Sequence, residues 1–323
     1  MSTIPTDTLL EPDKLPLVSI VMATYNGIHY IPKQLDSLLA QTYPKIEIII
    51  TDDASTDGTR DLLQAYAENH KNIHLLLNEI NIGYVKNFEK GMLAAHGELI
   101  APSDQDDIWA PEKIEKLVAA MGNEEIIYCN SILIDNNDNL VGKRLSEIKR
   151  LVDFKDCLNY IIGGSAPGHA MLIRKKVLQD AIPLPTMIPH DHWLGFVATF
   201  TTGVVFRDEV YVRYRQHTAN VFGAVKVKDE AGKKVKRKIT TKRDERVYAR
   251  ERIRIMYEKC PDDLTEPKKV LKIFNQTYQS FSIYNNWLRM ITFFKYRDRL
   301  MAYKRRNAFR KWLFCLKMFF TIK

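Results

Sequence analysis

One pattern repeats four times between Leu17 and Met121, and it leaves few folds open: a short apolar run, then a stretch with apolar residues at helical spacing. Residues 17–23, 46–50, 73–77 and 98–101 read as buried strands. Ile31, Leu35, Leu38 and Leu39 mark the first helix, residues 61–67 the second, and Val85, Phe88, Leu93 and Ala94 the third. Residues 111–121 give a fourth, with Pro111 suited to a first turn whose amides have no helical partner. Strands that are apolar on both faces need helices on both sides. The expected fold class is therefore α/β, a mainly parallel sheet with right-handed crossovers.

In such sheets ligands bind beyond the C-terminal ends of the strands. All four strands end in polar residues. The first leads into Thr24-Tyr25-Asn26-Gly27 and the second into Thr51-Asp52-Asp53-Ala54-Ser55-Thr56-Asp57-Gly58. The third leads into Asn78 and Asn81-Ile82-Gly83, and the fourth into Ser103-Asp104-Gln105-Asp106-Asp107. One polar loop is ordinary turn chemistry. Four on one edge point to a binding site.

The last of these segments sets three carboxylates in four positions at the mouth of a buried strand. Like charges there repel and resist desolvation unless a cation neutralises them, and hard oxygen donors suit Mg²⁺ or Mn²⁺. An acidic turn capping the helix near Pro111 is the plainer alternative, because Asp is favoured at helix N-termini. Neither GxxxxGKS/T nor GxGxxG occurs. A diphosphate would then have its charge balanced by metal and basic side chains rather than by a glycine-rich cradle.

The 323 residues suffice for one large domain or two smaller ones, and 46% hydrophobic with 27% charged residues is a globular composition. Cys129, Cys157, Cys260 and Cys315 lie far apart without CxxC or zinc spacing, which fits a reduced, cytoplasmic compartment. Met1 to Lys14 lacks a basic start followed by an apolar core, so no secretory signal is read there. No apolar run approaches the roughly 18–20 residues that cross a bilayer. The net charge of +9 is unevenly held: 28 Lys and Arg stand against 10 Asp and Glu from Ala224 onward, and 20 against 29 before it. An acidic body fits a cation-using site, and a basic tail fits an anionic surface.

Beyond Glu124 the pattern loosens. Residues 126–135 read as a strand before the turn Asn136-Asn137-Asp138-Asn139, 152–162 as a helix, 163–169 as a loop and 170–173 as a strand. Pro189-His190-Asp191-His192-Trp193 opens an apolar helix to about Phe200. Residues 204–206 and 210–214 read as the last strands, leading to Arg215-Gln216-His217.

Val18-Ser19-Ile20-Val21-Met22-Ala23-Thr24-Tyr25-Asn26, Asp52-Asp53-Ala54-Ser55-Thr56-Asp57 and Asn81-Ile82-Gly83 resemble, in this order, inverting family 2 glycosyltransferases of the GT-A fold. Ser103-Asp104-Gln105-Asp106-Asp107 resembles their Asp-x-Asp motif. His190-Asp191-His192-Trp193-Leu194 and Tyr214-Arg215-Gln216-His217 look like the branch that includes bacterial rhamnosyltransferases. On this resemblance 16–223 is the GT-A domain, 1–15 a flexible N-terminus and 224–323 a basic, mainly helical C-terminal region.

The resemblance implies inverting, non-processive transfer of one sugar from a nucleoside-diphosphate sugar, a UDP- or dTDP-sugar such as dTDP-rhamnose. The acceptor would be a saccharide or lipid-linked saccharide in bacterial surface polysaccharide or lipopolysaccharide biosynthesis. The Gln-x-x-Arg-Trp pattern of processive synthases is absent. Ala23, Thr24, Tyr25, Asn26, Asp52, Asp53, Asn81 and Gly83 are then expected around the nucleotide sugar, with Asp104, Gln105, Arg215 and Gln216. Asp106 first, with Asp104 and His217, would hold Mg²⁺ or Mn²⁺ against the diphosphate. Asp191 matches the family's catalytic carboxylate, the base for the acceptor hydroxyl; capping its own helix is the alternative. Many family members carry Glu-Asp where this chain has His190-Asp191.

Residues 226–254 are dense in charge around Lys233-Lys234-Val235-Lys236-Arg237-Lys238 and read as a solvated loop leading into a helix. Further on, Trp287, Ile291, Phe293, Phe294, Phe309, Trp312 and Phe320 stand among Arg289, Lys295, Arg310 and Lys317. Aromatic residues beside cations, without a spanning length, suit helices in the headgroup region of an anionic membrane. That is a peripheral location on the inner face of the cell membrane. Packing on the body or on a second copy, giving a homo-oligomer, is the alternative. Nucleic acid is disfavoured, because the acidic body continues no positive groove. A non-catalytic nucleotide-sugar scaffold would not need Asp191, and a sugar nucleotidyltransferase would need a glycine-rich, basic N-terminal loop that is missing.

Overall fold

The computed structural model describes residues 15–164, 166–217, 242–280 and 282–320; the expected flexible N-terminus, the boundary at 224 and the lysine-rich centre at 233–238 lie outside the described residues. Strands β1 (Val18–Thr24), β2 (Ile46–Asp52), β3 (Ile73–Leu77) and β4 (Leu99–Ser103) form on the four apolar runs. They pair in parallel in the order β3-β2-β1-β4. Helices Ile31–Leu39, Thr59–Asn69, Tyr84–Leu93 and Lys113–Ala120 follow them in turn. The helix Tyr84–Leu93 lies so close to the sheet that a Cβ at Gly91 would sit 2.6 Å from Val21 Cγ1. Only glycine permits that approach.

Strands β5 (Ile108–Trp109), β6 (Ile126–Ile134), β7 (Leu140–Arg144), β8 (Met171–Arg174) and β9 (Val204–Arg215) extend the sheet. β8 runs antiparallel between β4 and β6, β9 parallel to β6, and β5 and β7 antiparallel at the margins. The result is a GT-A type sheet, parallel where its polar edge lies and mixed beyond.

Three local expectations change. The two expected strands at 204–206 and 210–214 are one strand, β9, whose register against β6 slips at Cys129, Asn130 and Ser131. The helix expected over 152–162 is absent: Phe154 bridges Val204, and only a short 3₁₀ turn, Cys157–Tyr160, forms, capped by Asp156. The chain there is held by sheet pairing rather than by its own apolar period. β5 and β7 were not expected, being two residues long and wholly exposed, respectively.

The C-terminal helices Lys242–Lys259, Thr265–Gln279, Ile283–Lys295 and Ala308–Phe320 share one apolar core with the sheet. That core runs from Ile20 through Phe154 and Trp193 to Ile253, Phe274 and Phe293. Polar bonds fix the join. Arg252 Nη2 donates to the Ile161 carbonyl (2.8 Å), Tyr303 Oη to the Ile162 carbonyl (2.9 Å), and Asn159 Nδ2 to the Arg299 carbonyl (2.7 Å).

Candidate active site

The parallel register sets Thr24 beside Asp52, Asp52 beside Leu77 and Met22 beside Ser103, so four strand ends open on one edge. Asp52 is fully buried. Its carboxylate accepts from Thr24 Oγ1 (3.0 Å), the Ser55 amide (3.0 Å) and Arg60 Nε (2.9 Å). Asp53 accepts from Asn78 Nδ2 (3.0 Å) and from the Ile82 and Gly83 amides (2.8 and 2.9 Å). Both carboxylates thus fasten loops together. The edge itself is formed by Tyr25, half exposed, the half-buried Ala23, and the loop of Asn81, whose Oδ1 accepts from the Gly83 amide at 3.1 Å. Asn26 holds a left-handed φ of 47° while its Oδ1 accepts from the Thr56 amide at 2.9 Å, a conformation that suits asparagine.

The acidic turn after β4 is braced from below. Arg215, almost wholly buried at the end of β9, donates from Nε to the Asp106 carbonyl (2.7 Å) and from Nη1 to the Asp135 carbonyl (2.8 Å). Its Nη2 pairs with Asp138 at 2.6 Å. The next residue, Gln216, is buried, and its Nε2 donates to the Arg215 carbonyl at 2.9 Å. The guanidinium expected beside a diphosphate is therefore engaged in holding the turn. Gln105 lies across the top of the site, its side-chain amide bonded to the backbone of Tyr25.

Two groupings of ligand-type atoms result. His217 Nε2 lies 2.7 Å from Asp106 Oδ2, with its ring stacked on Tyr30 at 5.1 Å. On the other side, one oxygen or nitrogen each from Asp104, Asp107 and His169 lies within 4.8 Å of the other two. Asp107 is fully buried. Its Oδ1 accepts from the Arg215 amide (2.9 Å), whereas Oδ2 has no hydrogen-bond partner and lies 3.7 Å from His169 Nδ1. Burial first, then the charges of Asp106 and Asp104, push the Asp107 carboxyl well above the usual range. Beneath His169, the buried Lys113 donates to the His169 carbonyl at 2.6 Å and lies 3.0 Å above the Trp109 ring; burial pushes its ammonium down to about 7. An unpartnered, repelled carboxylate oxygen beside a second carboxylate and an imidazole fits a divalent cation with oxygen and nitrogen ligands.

Asp191 stands in the first turn of the helix His190–Ala198, which follows Pro189, and its Oδ1 accepts from the His192 amide at 2.7 Å. His190 is buried, stacked on Phe88 at 4.1 Å and edge-on to Tyr84 at 6.2 Å, with neither ring nitrogen hydrogen-bonded. Burial holds its ring below the ordinary histidine range, against the pull of Asp191 and Asp104. The same two carboxylates raise the Tyr84 hydroxyl, after burial, together with Tyr248 from the helix Lys242–Lys259. Asp104 and Asp191, 87 positions apart in the sequence, thus act on one aromatic pair.

Residues 19–181, half of the chain, match the family described as Glycosyl transferase family 2. The chain belongs to that family. An uncharacterized glycosyltransferase of Nostoc sp. is 29% identical over 213 residues, covering 63% of this chain and 66% of that protein, so the chain spans a little under two thirds of it. The Escherichia coli protein named UDP-Glc:alpha-D-GlcNAc-diphosphoundecaprenol beta-1,3-glucosyltransferase WfgD is 31% identical over 180 residues, 55% of this chain and 68% of that one. In fold, the chain is similar to S. aureus TarS, solved with UDP-GlcNAc, with a TM-score of 0.57, 18% identity and coverage of 95% and 81%.

In this family 2 chain, the expected cation group of Asp104, Asp106 and His217 is divided by the structure: Asp106 sits with His217, and Asp104 with Asp107 and His169. His169 carries no motif in the sequence. It reaches the cluster because β8 pairs antiparallel with β4, Ile100 opposite Ile173, which returns the loop before β8 to the C-terminal end of β4. Asp107 could have been found as the third acid of the cluster, the one followed directly by the apolar Ile108-Trp109.

Proposed function

We propose that the chain transfers a single sugar from a nucleoside-diphosphate sugar, with inversion, to a saccharide or lipid-linked acceptor in the building of a bacterial surface polysaccharide. The observation that carries this is the buried, unpartnered Asp107 oxygen grouped with Asp104 and His169 on the polar edge of the parallel strands. Those three residues, with Asp106 and His217 alongside, would hold Mg²⁺ or Mn²⁺. When bound, such a cation stabilises the negative charge on the departing diphosphate.

The remaining roles belong to the protein's own groups. Asp52 and Asp53 set the shape of the nucleoside wall by fixing the loops that bear Tyr25 and Asn81, and Tyr25 offers its ring to the base. Arg215 and Gln216 hold the acidic turn against the sheet. Asp191 takes the proton from the acceptor hydroxyl, a role consistent with its place next to His190, whose ring and that of Tyr84 feel the charges of both Asp191 and Asp104. The name of the E. coli relative supports a UDP-hexose donor and a polyprenyl-linked acceptor; a dTDP-sugar such as dTDP-rhamnose is the competing donor. Such an acceptor would put the enzyme at the cytoplasmic face of the cell membrane.

The test is Asp191→Asn with Mn²⁺ and a panel of UDP-, dTDP- and GDP-sugars. Nucleotide binding should persist while transfer falls about 10²–10⁴-fold, the usual weight of a positioned base. Undiminished transfer by the variant would remove Asp191 from the chemistry.

A further inference from the structure

Two C-terminal helices turn large apolar side chains outward, and in the first of them a cation is buried in exchange. The helix Ile283–Lys295 buries Asn285, Arg289 and Thr292 together with Phe293, and turns Tyr284, Trp287 and Ile291 outward along one helical stripe. The helix Ala308–Phe320 buries Cys315 and Met318 and turns Phe309, Trp312 and Leu313 outward. The two helices pack on each other through Phe293 against Phe314 (6.0 Å between ring centroids) and Phe294 against Trp312 (6.1 Å). Arg289, with no exposed surface, donates to the Thr277 carbonyl at 2.7 Å and to Asn286 Oδ1 at 2.6 Å. A surface helix meant for water carries its cation outside and its tryptophan inside. Here outward exposure runs from 39% at Ile291 to 79% at Ile283.

We propose that this outward face rests in the headgroup layer of an anionic bilayer. The choice of occupant follows from charge. From Ser282 to Phe320 ten Lys and Arg stand against one acidic residue, Asp298. Arg289 is buried, Arg299 pairs with Asp156 and Glu266, and Lys311 with Asp298, which still leaves a cationic surplus. A second copy of the chain would bring the same surplus to the contact and be repelled, whereas acidic lipid is attracted to clustered cations. Each helix has 13 residues, or roughly 20 Å at about 1.5 Å per residue. That is short of a bilayer core of roughly 30 Å, so the helices lie along the surface. Among the described residues no helix is long and apolar enough to cross a membrane. The proposal deepens the membrane-face location given under the proposed function, but the exposure and charge that carry it do not depend on the sugar-transfer chemistry.

The full-length protein supplies its own probe. Of its four tryptophans, Trp109 and Trp193 are buried and Trp287 and Trp312 are exposed. Vesicles of phosphatidylcholine mixed with brominated phosphatidylglycerol should quench the fluorescence, and the protein should float with them but not with phosphatidylcholine alone. The variant Ile283→Ser/Trp287→Ser, altered at exposed positions away from the contact between the two helices, should show about a tenfold smaller floated fraction while keeping its melting temperature and its transfer to a water-soluble acceptor. Absence of quenching by the parent, or equal flotation of the variant, overturns the proposal. So does a lipid-independent dimer that the variant dissociates. If both proteins float as stated but neither transfers sugar, the membrane surface stands and the transfer reading falls.

Discussion

Gln105 and Tyr25, 80 positions apart, are joined like neighbours in a strand ladder: the Tyr25 amide donates to Gln105 Oε1 at 2.8 Å, and Gln105 Nε2 donates to the Tyr25 carbonyl at 3.1 Å. The pair ties the end of β1 to the acidic turn after β4. Gly27 makes room for it, since a Cβ there would sit 2.5 Å from Gln105 Oε1. Gln105→Ala and Gly27→Ala should each cost about 1–2 kcal/mol, the worth of a displaced pair of hydrogen bonds. Because both act on the same contact, the double variant should be about as unstable as the worse single one in chemical denaturation. Full additivity would mean that the Gly27 methyl strikes something else.

Asp107 tests the cation group without any assay of activity. Asp107→Asn replaces the one acid of the cluster that burial and the charges of Asp106 and Asp104 push upward, so the metal-free variant should melt at or above the parent. Mn²⁺ should raise the parent's melting temperature, by the equivalent of about 2.7 kcal/mol at a hundredfold excess over Kd. The variant should show less than half that rise. An equal rise in both proteins would place the ion with Asp106 and His217 alone.

Asp53 holds the 79–83 loop by two backbone amides, Ile82 and Gly83, and by Asn78. Asp53→Ala leaves the Ile82 amide without that acceptor, while Gly83 keeps Asn81 Oδ1 and Asn78 keeps Asn87 Oδ1, and should cost about 1–3 kcal/mol. Limited proteolysis should then cut first within 79–83. A variant that resists the protease as well as the parent would show that the helix Tyr84–Leu93 holds the loop unaided.

His192 gives the stability curve an acid limb. It is buried with its ring edge-on to Tyr160 at 5.3 Å, and burial, followed by the charge of Arg252, pushes its folded-state value down to about 3 from 6.5. Between those values the unfolded chain binds the proton that the folded chain refuses. Stability therefore rises with pH through this window and is lost as pH falls through it. Urea melts of His192→Gln should show a shallower slope from about pH 6.5 to about pH 3, and a constant offset from the parent above it. An unchanged slope would assign the acid limb to the carboxylates.

The first half of the fold could be read because its strands are apolar on both faces and its helices keep a regular stripe; Ile20, Ile49, Leu35 and Leu38 are buried where the pattern puts them. The polar edge was legible for the same reason, since parallel pairing carries every strand end to one side. The second half depends on partners distant in sequence. Residues 152–162 carry apolar residues at helical spacing, yet Phe154 bonds to Val204, some fifty residues on, and no local signal announces that pairing. His169 was invisible for the same cause. Its position follows from β8 meeting β4, a register that the sequence around it does not encode. Arg215 was found, but not its bonds to the Asp106 and Asp135 carbonyls, because a cation at a strand end looks the same whether it faces a ligand or the underside of a turn.

The bonds from Arg252, Asn159 and Tyr303 also set an order of assembly. The last strand of the sheet is complete at Arg215, but the carbonyls of Ile161 and Ile162 accept from side chains made later, Arg252 and Tyr303. On the ribosome the sheet can close while the segment leading to His169 still has open carbonyls. The C-terminal region that closes those carbonyls is the one that also bears the outward Trp287 and Trp312. A growing chain therefore has its polar strand edge before the segment behind the His169 loop is fully paired.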